Sequence, residues 1–164
     1  MTDIVRLLLI VILLLSAVSA YFLVLNALFV TRVTWTRAIA QSMPARSFGI
    51  GFVNFVFFAV IALVLLSLAE NAGAVVKGIL TIPAVLIVAF LSIVLSFGLA
   101  GMSAFVGERI FPGLPAWKQL LWGTVCLALA CSLPFVGWFL LLPYVGFVGF
   151  GAVILAFVQK ENKA

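Results

Sequence analysis

Two thiols stand five residues apart, Cys126 and Cys131, and a thiol pair is the natural starting point for metal or redox chemistry. Residues five apart on a helix point roughly 140° from each other. Such a pair neither bridges nor clamps a zinc ion, and the two read as small apolar core residues. The chain has no histidine. That removes the commonest metal ligand, the usual haem ligand and the most frequent general base. The adjacent Glu108 and Arg109 read as an interfacial ion pair rather than a catalytic dyad. No Asp or Glu lies inside an apolar run, whereas proton relays and ion-coupled transporters carry an embedded ionisable group.

The glycine-rich stretch Gly146-Phe147-Val148-Gly149-Phe150-Gly151 resembles a phosphate loop only in composition, with no strand before it and no lysine after it. Its physical reading is close helix packing through Gly146, Gly149 and Gly151. Ser92, Ser96, Ala100 and Ala104 repeat every four residues and predict a second small-residue face. Whether these faces pack internally or between chains stays open. Asn26 and Asn54 are the most polar groups deep in apolar runs. They are expected to hydrogen-bond to each other or to a nearby backbone carbonyl, because an unpaired amide in hydrocarbon costs several kcal/mol. Lining a polar path is the alternative for them.

The elements that must carry these residues follow from charge spacing. The composition is 67% hydrophobic and 8% charged, against about 25% charged for a soluble domain. Charge-free runs cover 7–31, 47–69, 78–107 and 119–159. The last would reach roughly 60 Å as one helix, about twice the hydrocarbon thickness, so it must fold back. The turn is placed at Ser132–Gly137, where Pro134 breaks helical geometry and Gly137 tolerates a tight reversal. A turn at Pro143 is the alternative; otherwise Pro143 bends the last span.

The expected fold is an all-α membrane protein in one domain over 1–164. Its five transmembrane helices are TM1 5–30, TM2 48–69, TM3 79–106, TM4 117–132 and TM5 138–158, with a TM4–TM5 hairpin. A short interfacial amphipathic helix is expected over 31–44. There Trp35, Ile39 and Met43 form an apolar stripe, Arg32, Thr36 and Arg37 face elsewhere, and Pro44 ends the helix. That helix could serve the lipid surface or dock a partner. Arg32, Arg37 and Arg46 share one loop without an acid. The positive-inside rule therefore makes this side cytoplasmic, with the N-terminus outside and the C-terminus inside. Trp35, Trp117 and Trp138 fall at span edges, where indole rings favour the headgroup level.

Met1 to Ala20 has the pattern of a secretory signal peptide, but the apolar run continues through Tyr21 to Val30 and predicts an uncleaved helix. The net charge of +5 is scattered over loop ends, which excludes a phosphate-tracking face and hence nucleic acid. It suits anionic lipid instead.

Several stretches resemble a family of bacterial and archaeal membrane domains that follow bactofilin-like, polymer-forming domains. They are Ala45–Gly51, Leu80-Thr81-Ile82-Pro83, Gly107-Glu108-Arg109, Ser132–Gly137 and Gly149-Phe150-Gly151-Ala152. The resemblance covers most of 20–158. It implies a multi-span anchor in a prokaryotic cytoplasmic membrane, without established chemistry. These residues hold no polymer-forming domain, so the chain is expected to act through a separate partner.

The expected function is a non-catalytic integral subunit that packs with other membrane chains to assemble, anchor or stabilise a complex. A pore or carrier for a neutral or lipidic solute is the alternative. No cofactor is expected beyond bound lipid. A quinone or pigment held by packing stays open, although without histidine a metal-centred pigment would need an unusual axial ligand.

Overall fold

The computed structural model describes residues 2–71, 73–133 and 135–161. The helices are α1 (Thr2–Leu28), α2 (Val30–Ser42), α3 (Pro44–Glu70), α4 (Ala74–Ile110), α5 (Ala116–Cys131) and α6 (Leu142–Glu161), the last preceded by a π-helical turn, Val136–Leu141. No strand occurs among the described residues. Four helical stretches, Ile4–Leu28, Pro44–Glu70, Val75–Ile110 and Val136–Val158, are long and apolar enough to cross a membrane. With 16 residues, α5 is apolar but shorter, reaching about 24 Å. The chain is an all-α membrane protein.

Local chemistry explains the boundaries. After Leu28 the sequence turns to β-branched residues, Val30, Thr31, Val33 and Thr34, which lose rotamer freedom in a helix. Phe29 leaves helical geometry there (φ −130°, ψ 45°). Met43 does the same (φ −138°, ψ 58°). Pro44 then opens α3 at its first position, where its missing N–H has no intrahelical role. Pro44 therefore both stops α2 and starts α3, and a single residue joins them.

Contacts fix the directions. Gly149 lies against Gly98 and Gly146 near Leu95, so α6 and α4 run parallel. Gly51 meets Phe147 and Gly151 meets Ser47, so α3 opposes α6. Gly107 meets Gln119 and Gly123 meets Ser103, so α5 opposes α4. The centre of the bundle is α6: 44% of its apolar span is buried, against 11% in α1 and in α3 and 17% in α4. Phe150 is fully enclosed, packed with Leu91, Val94 and Val153 and edge-to-face with Phe55 at 5.6 Å.

Three expectations change. First, the helices that carry Asn26 and Asn54, expected to meet, do not pack side by side. Phe22 of α1 and Val33 of α2 share one buried cluster with Ala100 of α4. A straight rod would separate Phe22 and Val33 by about 16 Å, so the chain turns a corner at Phe29. Meanwhile α3 packs mainly on α6 and α4.

Second, the helix over 31–44 does not present Trp35, Ile39 and Met43 as one face. It buries Val33, Thr36, Ile39 and Ala40 and runs lengthwise along α4. Phe29 meets Phe97, Thr36 meets Gly101 and Gln41 meets Glu108, in rising order on both helices.

Third, the hairpin turn uses Phe135, which has φ 65° and ψ −66°. Gly137 sits in the π turn, where a Cβ would strike the Cys131 and Ala130 carbonyls. Pro134 lies outside the described residues. The amide of Leu142 bonds the Gly137 carbonyl five residues back, one residue before Pro143. A proline ring clashes with the carbonyl four residues behind it. The wider turn leaves room for the Pro143 ring inside the last helical stretch.

Candidate functional site

The polar groups gather where α2 lies on α4 and α6. Thr36 is buried although polar, because its hydroxyl donates to the Arg32 carbonyl at 2.9 Å. With that bond made, the side chain presents its methyl to Gly101. A Cβ on Gly101 would stand 2.8 Å from Thr36 Cγ2. The close seat of α2 on α4 therefore depends on a residue without a side chain.

Above this seat, Glu108 is gripped by two residues of α2. Gln41 Nε2 donates to Glu108 Oε2 at 3.0 Å, and Arg37 Nη2 reaches Oε1 at 3.4 Å. Arg109 is not the ion-pair partner of Glu108. Consecutive helical residues do not face each other, whereas α2 brings Arg37 alongside. Both side chains of the pair are partly exposed (28% and 40%), so the pair contributes only about 0.2–1 kcal/mol. Its role is to set register.

Arg32 stands apart from this clamp. Its guanidinium lies 4.3 Å from the centroid of the Phe157 ring, and no ion pair forms to it among the described residues. Two clefts flank it. The larger, about 230 Å³, is lined by Phe29, Thr36, Phe97, Val153, Ala156 and Phe157. The smaller, about 160 Å³, is lined by Thr31, Trp35 and Ala156. Arg46 lies on the other side of Met43, 3.8 Å from the Met43 sulfur.

The remaining expected sites divide. Gly149 and Gly151 make backbone contacts, with Gly98 and with Ser47 and Gly51, so this face packs within the chain. Gly146 has only Leu95 Cδ1 nearby, at 3.7 Å. Of the α4 stripe, Ala100 is buried, Ser96 and Ala104 are half-buried and Ser92 is exposed. Ser92 and Ser96 bond their own helix, to the Val88 and Ser92 carbonyls at 2.8 Å. Close backbone contacts of α4 also fall at Gly98, Gly101, Ser103 and Gly107. They share no single four-residue period because they face α6, α2 and α5 in turn. Asn26 and Asn54 do not pair. Asn54 Nδ2 donates to the Ile50 carbonyl at 2.9 Å, and its helix has no broad contact with α1.

Comparison with protein-family models, curated proteins and solved structures finds no match. Cys126 and Cys131 are free and half-buried. No cluster of three His, Cys, Asp or Glu able to hold a metal occurs among the described residues.

Proposed function

We propose that this chain is a non-catalytic integral subunit of a prokaryotic cytoplasmic membrane. It packs with other membrane chains to assemble, anchor or stabilise a complex. The observation that carries this reading is the asymmetry of α1. Its second half is tied down by Phe22 and Ser19, while the apolar residues from Ile4 to Leu14 stay 44–72% exposed, with Ile12 at the edge of a groove shared with Leu121 and Val125 of α5. Helices in lipid gain little from hiding apolar surface and associate through packing, so this free half offers a partner helix an uncommitted face. The short links between helices, a single residue between α2 and α3, restrict contacts to the bilayer and its surface. The resemblance to membrane regions that follow bactofilin-like domains supports the same class.

The positive-inside rule supports a cytoplasmic location for the end that carries Arg37, Arg46, Glu108 and Lys118. Five crossings, with α5 as a short fourth span, remain part of this proposal, while α2 climbs along α4 toward the end that carries Glu108 instead of lying flat on the surface. A pore or carrier is the weaker reading, because Phe150 and the glycine contacts close the centre of the bundle. The test is purification of the full chain from its native membrane in mild detergent. Defined integral partners at fixed stoichiometry support the subunit reading; a monodisperse chain without partners overturns it.

A further inference from the structure

We propose that the twin clefts flanking Arg32 form a specific binding site for one anionic phospholipid. Its phosphate would sit on the guanidinium and its acyl chains in the two apolar grooves. The inference holds whether or not the chain associates with other subunits.

The geometry has a charged end and a deep end. Because Gly149 meets Gly98 and α6 runs parallel to α4, Phe157 stands near the level of Glu108. Arg32 lies over the Phe157 ring, 4.3 Å from its centroid. The other end of the larger cleft is closed by Phe29 and Phe97, in edge contact at 5.2 Å. Phe97 is eleven residues below Glu108, about 16 Å along the helix. The cleft thus descends from the charged end of the bundle between apolar helix faces. An amphiphile with its head at the charged end and its tail pointing inward matches that polarity.

Charge selects the head. Arg32 meets only an aromatic face among the described residues, and a cation at the bilayer edge is stabilised further by an anion. The guanidinium fork suits phosphate oxygens in two-point contact. A cleft on each side of one cation fits a two-chain lipid better than a single-chain anion.

The test uses the full chain in zwitterionic detergent, titrated with phosphatidylglycerol, phosphatidylcholine or inorganic phosphate and followed by melting temperature and native mass spectrometry. Phosphatidylglycerol should raise the melting temperature and give a one-to-one adduct. R32Q should weaken that effect about tenfold or more, R32K less, and R46Q not at all. F157A, at an exposed ring that lines the larger cleft, should also weaken the adduct, and it keeps the test decisive if R32Q does not fold. Equal stabilisation by phosphatidylcholine would overturn the proposal in favour of an apolar groove. Stabilisation by phosphate alone would overturn it in favour of a free-anion site. Undiminished binding by R32Q would remove it. So would tighter binding by E161Q, since the guanidinium would then be neutralised within the chain.

Discussion

Gly98 of α4 and Gly149 of α6 meet backbone to backbone: a Cβ on Gly149 would stand 2.7 Å from the Gly98 carbonyl carbon. In lipid, where water gives no drive to bury apolar surface, such contacts let dispersion between main chains hold helices together. The pair lies beside the enclosed Phe150, so the closest approach and the tightest packing coincide on α6.

Enlarging that contact should split the bundle. Gly149→Val forces a branched side chain into main chain that cannot rotate away. A loss of about 1–3 kcal/mol, or outright failure to fold, is the expected outcome. Gly146→Ala is the control, because only the flexible end of Leu95 lies near it, at 3.7 Å. Thermal unfolding of both variants in one detergent checks the contrast. Equal loss in the two would refute the assignment of Gly149 as the contact.

The seat of α2 makes a reciprocal prediction. Gly101→Ala places a methyl 2.8 Å from Thr36 Cγ2, which should cost about 1–2 kcal/mol. Thr36→Ser deletes that Cγ2 and keeps a hydroxyl able to bond the Arg32 carbonyl. The double variant should therefore recover most of the loss, giving a coupling above about 0.5 kcal/mol in a double-mutant cycle. Additive losses would mean that the two residues do not share the space.

How much of this was legible in sequence follows from what each element depends on. Charge-free runs revealed the long helices because the bilayer demands length and apolarity alone. Gly149 and Gly151 were legible as packing residues because α6 is the most buried of the long helices, although Gly146 on the same helix makes no close contact. In the stripe Ser92–Ala104, Ala100 and Ala104 pack in the bundle while Ser92 is exposed, since a four-residue repeat marks a face without saying how much of its length is covered. Gly101 and Gly107, each with one partner from a distant segment, gave no periodic signal. Thr36 read as a polar-face residue, because its type does not reveal that its hydroxyl bonds its own helix. The Glu108–Arg37 pairing was hidden by the nearer Arg109.

That ion pair should matter little for stability. Arg37→Gln and Glu108→Gln remove a partly exposed contact, so each should shift unfolding by less than about 1 kcal/mol, with a coupling of about 0.2–1 kcal/mol that shrinks as salt is raised. Denaturation of the single and double variants at two ionic strengths measures it. A coupling of several kcal/mol, insensitive to salt, would place the pair in a far drier setting than its exposure indicates.

Phe135 offers the cleanest test of the hairpin. It is the one non-glycine residue with positive φ among those described, and its angles, 65° and −66°, fall in the rare, strained γ-turn region. Its ring is 79% exposed, so little packing within the chain depends on it. Phe135→Ala and Phe135→Gly both delete the ring, and only glycine relieves the backbone. The glycine variant should be the more stable of the two by about 1 kcal/mol, after allowing for the extra freedom glycine gains in the unfolded chain. Melting temperatures of the pair decide it. If alanine is the more stable, the turn between α5 and the π segment must take a different backbone path.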